Sequence, residues 1–293
     1  MIKENIVSLV DGFTIELNPK VRHKINSIPL DKKNNVYITY LPDATENDIL
    51  ETVDFVSKQK LTPITHLPAR TMRDLDHVSD FLKALRGRTD SKKILVIGGG
   101  GNQNGSVSSS LEILKSGLLK DNNFEEIGIA GHPEGSPDID QNTVNEFLSK
   151  KYDLSKDKNL NLELVTQFFF NAEPFIKWCE YLENSNIKLP VRVGFPGPAS
   201  FKTLLNFGIM SGVGNSLSFL KKNSSKVTDL LTKTSNDEMI IELANFSKEQ
   251  SMFKNFHCFP FGGFEKTCHW LNALQNGDFT MENDKIVLHN KIF

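Results

Sequence analysis

The chain has 293 residues, of which 39% are apolar and 24% charged, with a net charge of −2 and a pI near 6.4. That balance argues against a polybasic partner of nucleic acid or of an anionic membrane, and no run of about 18 apolar residues offers a membrane span. Three cysteines, Cys179, Cys258 and Cys268, are odd in number and lack metal-ligand spacing. They point to free thiols, a reducing compartment and a cytoplasmic protein without a metal.

From the N-terminus, MIKENIVSLV is too short and too mixed for a signal sequence. Strand-like and helix-like segments then alternate about every 30 residues. The predicted strands are Phe13–Leu17, Val36–Leu41, Leu61–Leu67, Lys93–Gly98, Glu126–His132, Leu162–Phe170, Val191–Phe195 and Asn255–Phe261. Helical patterns such as NDILETVDFVSKQ, MRDLDHVSDFLKALRG and SFKTLLNFGIM separate them. Eight strands with intervening helices count out an α/β fold, a single (β/α)8 TIM barrel over residues 1–293. A long helical connection, from about Ser200 to Lys254, precedes the last strand, and a short tail begins at about 277. An open doubly wound sheet fits the count less well.

The sixth strand, LELVTQFFF, is apolar almost without a break and is followed at once by the helical AEPFIKWCEYL. It reads as a strand buried on both faces that ends by presenting Gln167 at its mouth. That amide is either satisfied by neighbouring backbone or free to bond a planar heterocycle across the strand ends.

In such a barrel the active site lies where strands end and loops begin. The polar residues there are Glu16, Thr39, His66, the glycines Gly98–Gly101, His132 with Glu134, and Gln167, with the turn GFPGPASF ending in Phe201. A carboxylate and two imidazoles around one cavity suit chemistry better than stability. GGGGNQNGS fails G-x-G-x-x-G in every register, and Gly105 is followed by Ser106 where a phosphate loop needs lysine. It still lets a flat ligand or a phosphate approach the backbone, unless it is only a flexible loop.

FTIELNP, IGIAGHPEGSP, LVTQFFFNAEPF and PGPASFK together resemble the methylenetetrahydrofolate reductase family over most of Phe13–Leu274. The resemblance implies a flavoprotein on a (β/α)8 barrel that interconverts 5-methyl- and 5,10-methylenetetrahydrofolate. Glu16 would be the catalytic acid for the folate amine, and Gln167 and Phe201 would bind the folate. Thr39, His66, Gly98, Gly99, Gly100, His132, Ser136 and Lys151 would lie on the FAD side, Lys151 at its phosphates. Hydride exchange needs two rings face to face with apolar walls and few polar anchors. The chain departs from the family where Gly98-Gly99-Gly100 replaces arginine-glycine-aspartate, where Ser136 replaces a histidine, and where Gly263 replaces an arginine. Without the aspartate a bound flavin would be easier to reduce, which favours the oxidative direction. The implied partners are tetrahydrofolate derivatives, with no nucleic acid or membrane. NAD(P)H as electron partner and a homo-oligomer stay open, as does the alternative of a folate-binding or regulatory barrel that has lost flavin catalysis.

Overall fold

The computed structural model describes residues 2–28, 30–100, 102–137, 139–213, 233–234, 237–247 and 252–290. Eight parallel strands close into a barrel. They are β1 (Thr14–Leu17), β2 (Val36–Ile38), β3 (Pro63–Pro68), β4 (Lys93–Ile97), β5 (Glu126–Gly131), β6 (Asn161–Thr166), β7 (Val191–Pro196) and β8 (Phe253–Phe259). Each strand pairs with its neighbours in chain order, and β8 returns to β1 with His257 opposite Thr14. This is the expected (β/α)8 architecture.

The outer layer follows from amphipathic helices with local start signals. A helix α1 (Ile2–Val10) precedes the barrel, burying Ile6, Leu9 and Val10. Then come α2 (Glu46–Lys58), α3 (Leu75–Arg86), α4 (Ser110–Ser116), α5 (Leu118–Asp121), α6 (Gln141–Lys158) and α7 (Ala172–Asn184). Thr45 and Asp48 form a reciprocal capping box on α2, and the Asp140 carboxylate accepts the first free amides of α6. Before the last strand lie α8 (Phe201–Ser211) and α9 (Asp237–Phe246), and α10 (Phe264–Asn276) follows it. The predicted connection from Ser200 to Lys254 is therefore helical at both ends, while residues 214–232 lie outside the described residues.

Three predicted boundaries need correction. Strand β2 stops at Ile38, and β6 stops at Thr166, so Phe168–Phe170 belong to the loop that leads into α7. The strand cannot continue because Asn171 turns the chain to cap α7, its Oδ1 accepting from Glu173 N at 3.1 Å. The tail after Gly277 is a β-hairpin, Phe279–Glu282 against Lys285–Leu288. Asn283 and Asp284 both take positive φ at its two-residue turn, which matches the right-handed twist of the strands.

Alternation along the strands decides what fills the barrel. Near the strand N-termini, Glu163 of β6 accepts from Arg192 Nε of β7 at 2.7 Å and from Lys254 Nζ of β8 at 2.6 Å. The Tyr37 hydroxyl donates to the same carboxylate at 3.2 Å from across the barrel. Arg192 also donates to Asn255 Oδ1 at 2.6 Å. The apolar layer is Tyr37, Ile64, Leu95 and Val165. Burial by itself would raise the Glu163 pKa; the two cations outweigh it and hold the carboxyl down, at about 2 against an ordinary 4.5.

The depressed value makes this carboxylate's contribution to stability complete above about pH 4.5 and lost as pH falls through about 2. Glu163→Gln leaves two cations without their counter-charge, a loss of about 3–5 kcal/mol. Denaturant unfolding of both proteins between pH 2 and 7 checks this. Equal stability at neutral pH would remove the ion cluster from the account.

Candidate functional site

Two residues above the buried cluster, the inward positions become polar at the mouth. Glu16 of β1 directs Oε1 between two imidazoles, 3.5 Å from His66 Nε2 of β3 and 3.5 Å from His257 Nε2 of β8. His257 is fully buried, and its Nδ1 lies 2.8 Å from the Thr14 hydroxyl. Neither Nε2 has a hydrogen-bond partner among the described residues, since 3.5 Å to an oxygen is too long for a firm bond. Tyr37 forms the floor, its ring edge-on to His257 at 4.5 Å and to His66 at 6.2 Å.

The chemistry follows from the tautomers. When Thr14 donates to Nδ1, His257 carries its hydrogen on Nε2 and faces a carboxylate favourably. When Nδ1 donates to Thr14, a bare Nε2 faces Glu16 and favours the protonated acid. His257 and Thr14 can thus follow a change of proton at Glu16 without leaving their places. Burial, the larger cause, together with His257 lowers the His66 pKa to about 4, against the pull of Glu16, so His66 is neutral at neutral pH.

An aromatic wall stands over the ends of β6 and β8. Phe168 meets Phe170 at 5.5 Å, Phe259 at 5.3 Å and Phe261 at 4.7 Å, and Phe261 stacks on Phe207 of α8 at 4.0 Å. Phe207 and Phe261 remain half-buried, so apolar ring surface is presented to a ligand. Phe169 points the other way and stacks on Phe175 in the main core. Phe201, expected to stack on folate, is only 9% exposed and has no place in this ring cluster.

Across the mouth, the glycine-rich loop is clasped to the turn Ala69–Thr71. Arg70 N donates to Gly98 O at 2.9 Å, Asn104 N to Arg70 O at 2.8 Å and Ser106 N to Arg73 O at 2.6 Å. A Cβ on Gly105 would lie 2.0 Å from Arg73 O, so only glycine permits the approach. Gly98 and Gly100, by contrast, would direct a Cβ into open space. Gly101 lies outside the described residues.

The other expected residues are distributed less evenly. Thr39, buried, donates to Leu17 O at 3.4 Å on the inward face two residues after Tyr37. Gln167 is half-buried; its Oε1 accepts from Phe168 N at 3.1 Å, while Nε2 has no partner among the described residues. His132 and Ser136 are half-buried on the loop after β5. Lys151 lies ten residues into α6, about 15 Å along its axis, and burial lowers its pKa to about 8. The candidates missed in the sequence are Thr14, His257, Arg70, Phe207 and Phe261. His257 was findable, because it alternates with Asn255 and Phe259 on the inward face.

No family model matches the chain. Methylenetetrahydrofolate reductase 2 of Saccharomyces cerevisiae is 31% identical over 71 residues, 23% of this chain. Methylenetetrahydrofolate reductase 1 of Schizosaccharomyces pombe is 38% identical over 72 residues, 24% of this chain. Over that stretch the chain is similar to the methylenetetrahydrofolate reductases. Its matched stretch spans only 11% of the length of each of these curated relatives. Among solved structures, an uncharacterized protein from Clostridium thermocellum that binds two copies of 5-methyl-5,6,7,8-tetrahydrofolic acid aligns with a TM-score of 0.61. That alignment covers 93% of this chain and 96% of the other, and its 16% identity makes it a likeness of fold. Among the described residues, no helix is long and apolar enough to cross a membrane, and no group of His, Cys, Asp and Glu has metal-holding geometry.

The His66 environment carries a direct expectation. Its ring should stay neutral until the pH falls to about 4, two units or more below an exposed histidine. Imidazole nitrogen shifts followed by NMR between pH 3 and 8 report this. Titration near 6.5 would contradict burial as the force that outweighs Glu16 at this ring.

Proposed function

We propose that this chain binds reduced folate at the barrel mouth and, with a flavin dinucleotide, interconverts 5-methyl- and 5,10-methylenetetrahydrofolate. The observation that carries the reading is Glu16 between two buried imidazoles at the barrel mouth, with an aromatic wall on one side and an open glycine backbone on the other. A flavin dinucleotide fits the residues present: His66 Nε2 is a buried nitrogen without a hydrogen-bond partner among the described residues, Gly98 and Gly100 leave room, and apolar rings stand opposite. Bound there, flavin would supply the hydride exchange with the one-carbon unit.

The chain's own part is to hold the pterin and to move one proton. Gln167 Nε2, without a partner among the described residues, offers a donor to the pterin edge, and Phe261 with Phe207 offers stacking surface worth about 0.5–1.5 kcal/mol beyond area burial. When the imidazolidine ring opens, the carbon–nitrogen bond breaks and its electron pair stays on the amine nitrogen, which takes the proton from Glu16. Ring closure returns that proton to the carboxylate, and the Thr14–His257 pair follows the change. Operation toward 5,10-methylenetetrahydrofolate is the direction that Gly100, bearing no carboxylate, favours, because no negative charge there opposes a reduced, anionic flavin. A second reading, a folate-binding barrel without flavin, is favoured by the loss of every side chain across Gly98–Gly100.

The absorption spectrum of the purified protein, followed by anaerobic titration with 5-methyltetrahydrofolate, separates the two. Flavin absorbance bleached by the folate supports the enzyme; a colourless protein that binds folate supports the second reading. Glu16→Gln should retain both ligands and slow flavin bleaching about 100-fold or more, the usual effect of a positioned acid. An undiminished rate would remove Glu16 from the proton path. Phe261→Ala and Gln167→Ala should weaken folate binding while flavin content holds, as equilibrium titration would report. Loss of flavin with unchanged folate affinity would invert the two sides of the mouth.

A further inference from the structure

In the outer layer, a cavity of about 580 Å³ lies between α6 and α7, within the roughly 300–1,000 Å³ usual for small-molecule sites. Pro133 and Asn171 line it, and they follow His132 and Phe170 in the chain, so the cavity borders the mouth from outside the sheet. Pro133, Pro174, Tyr181 and the Trp178 indole supply flat apolar walls.

Trp178 is 5% exposed, and its Nε1 is buried without a hydrogen-bond partner among the described residues. The six-membered ring of the indole packs on Gly131, where a Cβ would lie 2.9 Å from Cη2. The Gly131 carbonyl is already taken by Gln167 N at 2.9 Å. A buried donor left without an acceptor is a standing cost that native structures rarely carry. The carboxamides around it are short of acceptors too. Asn171 Oδ1 accepts from Glu173 N at 3.1 Å, and Asn145 Oδ1 accepts from Gln141 Nε2 at 2.9 Å. Each side chain keeps an NH2 group with no acceptor among the described residues. On the exposed rim Lys177 and Glu173 match each other at 2.6 Å, which leaves the rim neutral. Asn171 also stands at the N-terminus of the 13-residue α7, where the helix dipole favours negative charge.

We propose that this cavity binds a small aromatic carboxylate, at a site separate from the mouth and independent of the reading given for it. The ring would lie among Trp178, Tyr181 and the prolines, and the carboxylate would accept from the indole and from Asn171 and Asn145. Three uncharged donors and a helix N-terminus suit one delocalised anion, whose two oxygens offer about four lone-pair positions. A bare inorganic anion would leave the ring walls uncovered, and an apolar ring alone would leave the donors unmet.

The test titrates the full chain with benzoate and with benzyl alcohol, the same ring without the carboxylate, read by calorimetry. The sequence holds two tryptophans, and Trp270 is stacked on Phe195, so Trp270→Phe leaves Trp178 as the fluorescent reporter. Benzoate should bind and change that emission, and benzyl alcohol should bind far more weakly. Asn171→Asp keeps the cap of α7 but sets a carboxylate where the amide stood. It should hold the native melting temperature and weaken benzoate about tenfold or more. Trp178→Phe, which keeps a ring and removes the N–H, should weaken benzoate as well, while Phe261→Ala at the mouth should leave it unchanged. A native chain that ignores millimolar benzoate overturns the site, and so does native affinity in Asn171→Asp or equal binding of benzyl alcohol. Weakened benzoate in Phe261→Ala would put the probe in the mouth and overturn a separate site.

Discussion

A carboxylate, a guanidinium, an ammonium and a phenol meet inside the barrel near the N-terminal ends of its strands, and the interior depends on their being there together. Glu163 alone would be an expensive buried charge. With Arg192, Lys254 and Tyr37 it becomes a satisfied network that fills the lower barrel without a large apolar side chain. Tyr37 spans the space between this network and the polar layer at the mouth: its hydroxyl reaches Glu163, and its ring supports His257. The position of His257 under Glu16 is therefore set from below by a phenol and from the side by Thr14.

The mouth above is divided in two by strand order. Strands β6 and β8, with α8 behind them, contribute rings; β1, β3 and the loop after β4 contribute a carboxylate, an imidazole and bare backbone, and β8 adds the second imidazole. Such a division suits two flat ligands held against each other, one by stacking and the other by a few polar contacts. The cysteines take no part. All three are buried and unpaired, and burial raises the thiol of Cys179 to about 12, too high for a thiolate at neutral pH.

Dense apolar runs alternating with helical patterns were enough to locate all eight barrel strands, because strands covered on both faces are rich in Val, Ile, Leu and Phe. That pattern overran where apolar residues continued past the strand. Phe168–Phe170 look like more of β6, yet a helix cap ends the strand, and alternate rings go to different clusters. It also passed over FTMENDKIVL, whose alternation around Asn283 and Asp284 is a hairpin signal outside the barrel count.

The sequence by itself determined the barrel, through the spacing of its strands, and it determined that Glu16, His66 and Gln167 stand at strand ends. The motifs determined the reductase-like reading. Only the tertiary structure decided which groups meet. Thr14 and His257 are 243 positions apart and touch because β8 closes on β1. Phe261 and Phe207 come together through α8, and Arg70 reaches the glycine loop because β3 and β4 are neighbours. None of these contacts has a local signature, since each depends on the closure and register of the sheet, and register is a property of pairs of strands.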